Sequence, residues 1–166
     1  MTVETPDPNL QLRTATDADA ELILSFIKAL AEYEKLSHEV VADVETLRKT
    51  LFGERQVAEV IIAEYDQKPA GFALFFHNYS TFLGKPGIFL EDLFVQPEYR
   101  GKGIGKQLLV QLAKIAVERD CGRVEWHVLD WNEPAIKFYR NLGAQSLDDW
   151  TTFRVTGEVM EKLAGM

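Results

Sequence analysis

The spacing of hydrophobic residues changes several times along the chain, and each change predicts a new element. Leu10 and Leu12 alternate with polar residues, as in a short strand. Apolar positions three and four residues apart then predict a helix over 17–35 and a second helix over 43–53. The acidic, proline-containing stretch 1–8 shows neither pattern, so we expect it to form a flexible tail.

The centre of the chain predicts strands, and the remainder alternates between helix and strand. The elements predicted in this part are strands at 57–65, 70–79, 88–95, 123–129 and 150–155, a long amphipathic helix from 104 and a short helix over 132–143. Together they predict an α/β (α+β) fold, in which helices flank a central mixed, mostly antiparallel sheet. The chain shows no repeats or linkers, so we expect a single domain over 9–166.

Composition and charge argue against some classes of function and some partners. The chain has 166 residues, a net charge of −8 and no apolar run of the roughly 18 residues that a membrane span needs. The acidic balance argues against a nucleic-acid partner, which would require a basic face. It suits the attraction of protonated amines, although the same charge also simply keeps a protein in solution. A lone Cys121 and the lack of a signal-peptide pattern predict a cytoplasmic protein.

A glycine-rich loop, Arg100-Gly101-Lys102-Gly103-Ile104-Gly105, lies between a predicted strand and a predicted helix. Glycines let the backbone turn sharply and approach a ligand, and the amides at a helix N-terminus bind phosphate oxygens. Arg100, Lys102 and Lys106 add positive charge. The spacing fits neither the dinucleotide-binding pattern nor the nucleoside-triphosphate loop. The loop is therefore either a cradle for another phosphate ligand or a plain turn.

Two adjacent carboxylates, Glu91 and Asp92, lie on the strand before this loop. A carboxylate in a mostly apolar setting is suited to accept a proton, so Glu91 is a candidate general base. The alternative is a charge-paired residue at a strand edge. Asp92 should point to the opposite face unless a bulge intervenes. The histidines and Cys121 show no metal-ligand spacing, so we expect no metal site.

A second motif occupies the short helix predicted over 132–143. Asn132 is a typical N-cap, Pro134 suits the first turn and Gly143 ends the helix. Tyr139 shares a helix face with apolar residues, so its position alone favours an ordinary core aromatic.

The two motifs together resemble those of the GNAT acetyltransferase superfamily: Arg-x-x-Gly-x-Gly in the loop and Asn-x-x-Ala-x-x-Phe-Tyr-x-x-x-Gly on the later helix. The resemblance implies the GNAT fold and acetyl-CoA as cosubstrate, without a metal. It implies that Tyr139 protonates the departing thiolate and that Glu91 takes the amine proton through water. The residues that it assigns to coenzyme A are Leu93, Phe94, Val95, Arg100, Gly101, Lys102, Gly103, Ile104, Gly105, Lys106, Asn132, Glu133, Pro134, Ala135 and Tyr139.

Further segments, among them 27–36 and 142–145, resemble more narrowly the diamine (spermidine/spermine) and thialysine acetyltransferases. This resemblance implies a homodimer that acetylates a primary amine of a small cationic substrate. Polyamine-specific members carry an acidic residue at the place of Ala29 and tryptophan at that of Phe82. These departures weaken the case for a long polyamine and leave a shorter diamine and a lysine-like amino acid equally open. The residues implied to contact the substrate are Lys28, Ala29, Glu91, Asp92, Glu125, Trp126 and His127.

Two other functions are compatible with the same motifs. A non-catalytic acyl-CoA sensor would need only the loop, and an enzyme that acetylates protein or peptide amines would use the same acid and base. Glu91 and Tyr139 argue against the sensor, because binding alone requires neither.

Overall fold

The sheet of the computed structural model, which describes residues 1–166, has six strands in chain order. The strands are β1 (Thr2–Glu4), β2 (Leu10–Thr14), β3 (Glu59–Tyr65), β4 (Lys68–Ser80), β5 (Lys85–Val95) and β6 (Val124–Trp126). Neighbouring strands are antiparallel, except that β6 runs parallel to β5. The mixed, mostly antiparallel sheet predicted from the sequence is therefore confirmed.

Five helices accompany the sheet. They are α1 (Ala20–Tyr33), α2 (Val44–Phe52), α3 (Ile104–Glu118), α4 (Glu133–Asn141) and α5 (Gly157–Ala164). At the start of α2, Asp43 accepts a hydrogen bond from the backbone N–H of Thr46 at 2.8 Å. This cap lies at the first residue of the helix predicted over 43–53, and it satisfies a donor that has no helical partner. None of the helices is both long enough and apolar enough to span a bilayer.

The chain forms two compact units, Met1–His127 and Val128–Met166. In the first, α1 and α2 pack on one face of the sheet, where the ring of Phe26 lies 5.3 Å from that of Phe72 and 6.0 Å from that of Phe94. We call these rings and the apolar side chains around them the apolar cluster. α3 contacts β3, β4 and β5 but contributes nothing to this cluster, so it covers the other face. Burying each such ring stabilises the fold by about 1.5–3 kcal/mol.

The N-terminus differs from the flexible tail expected over 1–8, because its first residues form β1 and pair with β2. Val3 stands opposite Leu12 and is half-buried, and the backbone N–H of Thr14 donates to the carbonyl of Met1 at 2.9 Å. A three-residue strand is too short to show a period in the sequence, and its hydrogen bonds come entirely from its neighbour.

The predicted last strand at 150–155 does not form, and this prediction was wrong. Trp150 and Phe153 are 77% and 92% exposed, and the chain continues into α5, which the sequence analysis missed. An alternating pattern becomes a strand only where a neighbouring strand supplies backbone hydrogen bonds, and no strand of the sheet pairs with this segment. β6 is likewise shorter than the predicted 123–129 and ends at Trp126.

Candidate active site

A β-bulge interrupts β5 at Glu91. Leu90 stands opposite Phe75 and Asp92 opposite Leu74, so Glu91 is an extra residue with no partner on β4. In an uninterrupted strand Leu90 and Asp92 would share a face, but the extra residue places them on opposite faces. The structure therefore contains the bulge that the sequence analysis named as the condition for a changed direction of Asp92.

The bulge turns Asp92 toward the face of the sheet covered by α1 and α2. Its cross-strand neighbour Leu74 and the nearby Phe94 both belong to the apolar cluster. Burial, with smaller contributions from the carboxylates of Glu91 and Glu34, raises the pKa of Asp92 from 3.8 to about 6. Glu91, on the bulge itself, is exposed. Two adjacent carboxylates thus have different surroundings, and only Asp92 is held against the apolar cluster.

Glu34, at the end of α1, is a candidate site residue that the sequence did not reveal. It lies close enough to Asp92 for its charge to raise the pKa of Asp92, and burial raises the pKa of Glu34 itself. The residues predicted to contact the substrate on this helix are Lys28 and Ala29. Lys28 is exposed, and Ala29 packs against the apolar cluster. The one local sign of Glu34 was a carboxylate at a helix C-terminus, where the helix dipole disfavours it. We call Glu34, Glu91 and Asp92 the acidic cluster.

The edge of β5 beyond the bulge is open. Pairing with β6 ends where Leu90 stands opposite Trp126, and 92–95 pairs only with β4. The backbone groups that face away from β4 can therefore pair with an extended ligand, as in strand addition. The residues that the sequence analysis assigned to coenzyme A on this strand lie along this edge. The side chain of Phe94 is buried and its backbone pairs with Phe72 on β4, so Phe94 offers no polar group to a ligand at this edge.

The glycine-rich loop presents backbone amides at the start of α3. Gly101 and Gly103 have positive φ angles of 78° and 77°, a conformation that other residues rarely adopt. The first helical bond runs from the N–H of Gln107 to the carbonyl of Gly103, so the N–H groups of 104–106 have no acceptor within the helix. These amides and the positive end of the helix dipole fit phosphate oxygens. We call this part of the loop the anion cradle.

Two cations flank the anion cradle, and each rests on an aromatic ring. The ammonium nitrogen of Lys102 lies 4.6 Å from the ring centre of Tyr65. The guanidinium of Arg100 lies 5.0 Å from the ring centre of Tyr33 and 5.9 Å from that of Phe94. The side chain of Arg100 therefore reaches back from the loop to the end of α1, whereas sequence reasoning placed it with the phosphates.

The residues expected to border the substrate near β6 have other contacts. The carboxylate of Glu125 accepts a hydrogen bond from the side-chain amide of Asn78 at 2.8 Å and forms an ion pair with Nε of Arg123, also at 2.8 Å. The ring of His127 packs edge-on against that of Phe89, with 5.0 Å between centroids. Glu125 would have to give up these bonds to bind an ammonium group, so the acidic cluster is the better anionic site.

The second motif forms the helix predicted for it, within the unit 128–166. Asn132 accepts a hydrogen bond from the backbone N–H of Ala135 at 3.3 Å and caps α4, and Glu133 and Pro134 occupy its first turn. Tyr139 is half-buried, with its ring centre 5.4 Å from that of Phe138. The roles of these residues toward coenzyme A and the thiolate stay predictions. No group of three or more His, Cys, Asp or Glu side chains is placed to hold a metal ion.

Comparison with known proteins places these features in one family. The model of the Acetyltransferase (GNAT) family matches residues 26–144. The thialysine N-epsilon-acetyltransferase of Bos taurus is 40% identical over 167 residues, which cover 94% of this chain and 98% of the relative. The L-ornithine N5-acetyltransferase of Arabidopsis thaliana is 34% identical over 198 residues, which cover 92% and 87%.

A solved structure shows the same fold along the whole chain. An integron cassette protein from the mobile metagenome of V. cholerae superposes with a TM-score of 0.79 at 28% identity, and the match covers 95% of this chain and 99% of that one. The likeness therefore extends well beyond the glycine-rich loop. Because the family model spans most of the chain and relatives of nearly the same extent exceed 30% identity, the chain belongs to the GNAT family and is an N-acetyltransferase.

Proposed function

We propose that this enzyme transfers the acetyl group of acetyl-CoA to the primary amine of a small cationic substrate, a diamine or a lysine-like amino acid. The observation that carries the proposal is the acidic cluster at the bulge of β5, on the same strand that leads to the anion cradle. A negative site and a phosphate site joined by an open strand edge suit a cationic acceptor and a polyanionic donor. The relatives named for thialysine and L-ornithine support this class of acceptor.

In this proposal the anion cradle binds the pyrophosphate of acetyl-CoA. The amides of 104–106 donate hydrogen bonds to its oxygens, and Lys102 and Lys106 contribute positive charge. The backbone groups of Leu93 that face away from β4, and the N–H of Val95, pair with the amide groups of the pantetheine arm. The resemblance also assigns 132–135 to this ligand, and that role stays a prediction.

The acidic cluster binds the acceptor. Asp92 and Glu34 attract ammonium groups from two different elements, β5 and α1, so that a substrate with two cationic groups can be held at both. Ala29 stands where polyamine-specific members carry an acidic residue, and this weakened the case for a long polyamine. Glu34 supplies a carboxylate from the same helix, five residues further along, and this restores a second anionic contact.

Glu91 and Tyr139 divide the proton transfers. An alkyl ammonium has a pKa of about 10, so a base must generate the neutral amine. Glu91, exposed at the head of the open edge, takes that proton through water. The amine nitrogen bonds to the acetyl carbon, whose oxygen accepts a hydrogen bond from the backbone N–H of Leu93. The carbon–sulfur bond breaks, and Tyr139 gives its hydroxyl proton to the thiolate. The nitrogen loses its second proton to water as the amide forms, and Tyr139 regains a proton from solvent.

The acceptor class is tested with an amine panel. Thiol release from acetyl-CoA is measured with putrescine, spermidine, lysine, thialysine and a lysine-containing peptide, after calorimetry has shown that acetyl-CoA binds. We expect turnover with a diamine or a lysine-like amino acid. Binding of acetyl-CoA with no thiol release for any amine would identify an acyl-CoA sensor, and release with the peptide alone would identify an enzyme for protein amines.

The acid and the base are tested by isosteric changes. Tyr139→Phe should lower kcat and leave the dissociation constant of acetyl-CoA nearly unchanged, because only the hydroxyl is lost. Glu91→Gln should lower kcat and flatten its dependence on pH. If Asp92→Asn flattens the pH dependence and Glu91→Gln does not, the base is Asp92. Unchanged turnover of Tyr139→Phe at saturating substrate removes Tyr139 from the mechanism.

We also propose that the enzyme acts as a homodimer in the cytoplasm. Support for a second copy comes from the turn between β4 and β5, where Phe82 and Leu83 are 96% and 56% exposed beside Tyr79. Exposed apolar side chains that lie together mark interaction surfaces. Light scattering should give twice the 18.9 kDa of one chain, and Phe82→Ser should shift the protein toward monomer. A wild-type monomer at micromolar concentration would refute the dimer.

A further inference from the structure

Arg100 belongs to the glycine-rich loop by sequence, but its side chain leaves the loop. Its Nε–H donates to the carbonyl of Val95 at 3.0 Å, and its guanidinium lies 5.0 Å from the ring centre of Tyr33. The same guanidinium lies 5.9 Å from the ring centre of Phe94. Arg100 therefore contacts the last residue of α1 and the last residues of β5 at once.

Both elements that Arg100 contacts carry members of the acidic cluster. Glu34 follows Tyr33 directly on α1, and Asp92 lies two residues before Phe94, on the same face of β5. A shift of Tyr33 or of the end of β5 would therefore change how Glu34 and Asp92 face each other.

Two backbone hydrogen bonds fix the chain direction at the end of α1, where Glu34 lies. The N–H of Leu36 donates to the carbonyl of Ala31 at 2.7 Å, and that of Lys35 donates to Glu32 at 3.1 Å. These two bonds form a Schellman motif, with Lys35 in the left-handed region at a φ of 61°. Glycine usually occupies this position, because a residue with a side chain, such as Lys35, adopts the left-handed conformation at a cost in free energy. Contacts from outside the helix, such as that between Tyr33 and Arg100, help to keep the motif formed.

We propose that Arg100 and Tyr33 form a positioning pair for the amine acceptor, so that a residue of the coenzyme A motif sets the geometry of the acidic cluster. The pair acts through Glu34 and Asp92 and makes no contact with the reacting atoms. The proposal rests on the amine-acetylating function given above. It differs from the role in phosphate binding that the sequence motif implies for Arg100, and the two roles predict different kinetic effects.

The kinetic test compares Tyr33→Leu and Arg100→Leu with the conservative Tyr33→Phe. A cation–π contact at an exposed site contributes about 0.5–1 kcal/mol, which corresponds to roughly a two- to fivefold change. We expect each leucine variant to raise the KM for the amine by that factor, with the KM for acetyl-CoA changed less than twofold. Tyr33→Phe keeps the ring and should behave as wild type. The double leucine variant should be no worse than the worse single variant, because both remove the same contact.

A measurement without substrate separates failure of this proposal from failure of the proposed function. Hydrogen exchange of the Leu36 amide reports opening of the Schellman motif. It should accelerate roughly two- to fivefold in both leucine variants and stay at the wild-type rate in Tyr33→Phe. An unchanged exchange rate of the Leu36 amide in the leucine variants overturns the proposed positioning pair, whether or not any amine is acetylated. A raised KM for acetyl-CoA in Arg100→Leu, with the KM for the amine unchanged, also overturns it and returns Arg100 to phosphate binding.

Discussion

Replacing Asp92 with asparagine should stabilise the protein at neutral pH, because the ionised carboxylate is held against the apolar cluster. The pKa of Asp92 rises from 3.8 in the unfolded chain to about 6 in the folded protein. At about 1.4 kcal/mol per pH unit, that difference corresponds to about 3 kcal/mol. Since the folded pKa is the higher one, folding favours the protonated form. The contribution of Asp92 to stability is therefore complete below pH 3.8 and is lost as the pH rises through 6.

Asp92→Asn mimics the protonated form at every pH. Relative to wild type, the variant should gain about 3 kcal/mol in the free energy of unfolding above pH 7 and less than about 1 kcal/mol at pH 4. Urea titrations at pH 4, 6 and 8, followed by tryptophan fluorescence, measure this gain from the midpoint at constant m-value. A gain that does not change with pH, or a loss at pH 8, would show that the carboxylate is solvated as well in the folded protein as in the unfolded chain.

Asp19→Asn provides a matched control with the opposite sign. The carboxylate of Asp19 accepts two hydrogen bonds at 2.8 Å from the guanidinium of Arg13, and these bonds lower the pKa of Asp19. Its ionised form therefore stabilises the fold above its unfolded pKa, and that contribution is lost as the pH falls through the folded pKa. Asp19→Asn should be less stable than wild type by nearly the same amount at pH 8, 6 and 4, and the deficit should shrink only below pH 3.8. If both variants showed the same trend with pH, the titrations would be reporting a general effect of charge.

Three further predictions concern ligand binding and local stability. Glu34→Gln should raise the KM for a diamine at least severalfold and change that for a monoamine much less, because one of two anionic contacts is lost; equal effects on both amines would remove Glu34 from the acceptor site. Gly103→Ala should lower the free energy of unfolding by about 1–2 kcal/mol in a urea titration, since its φ is 77°. Gly105 has an ordinary φ, and a Cβ added there would lie 3.8 Å from its nearest heavy atom. Gly105→Ala should therefore fold at least as stably as wild type, yet bind acetyl-CoA more weakly in calorimetry. Unaltered affinity would place the phosphates away from this amide.

The sequence predicted those features whose determinants lie close together in the chain. The glycine-rich loop and its helix, the Asp43 cap and the Asn132 cap each depend on a few consecutive residues, and each forms as expected. The same is true of the β3–β4 turn, where Asp66 and Gln67 adopt positive φ angles of 49° and 61° between the two strands. Turns and helix caps can therefore be predicted from neighbouring residues, without knowledge of contacts to distant parts of the chain.

Features that depend on distant partners were missed or left open. The bulge at Glu91 exists only relative to the register of β4, and the sequence of β5 alone gives no sign of an extra residue. Glu34 joins the site because α1 packs across the sheet to the strand that carries Asp92. The segment 150–155 has the composition of a strand but no neighbour to pair with. In each case tertiary contacts, rather than propensity, decided the outcome.

The bulge links the fold to the chemistry, because one extra residue gives two adjacent carboxylates different surroundings. Without it, Asp92 would lie on the face of Leu90, under α3 and away from Glu34. With it, Glu91 stays in solvent at the head of the open edge, while Asp92 meets Glu34 beside the apolar cluster. Enzymes assign different proton-transfer roles to neighbouring carboxylates through such differences in environment. In the function proposed above, Glu91 is the exposed proton acceptor and Asp92 and Glu34 hold the ammonium group, and this division follows from the register of two strands.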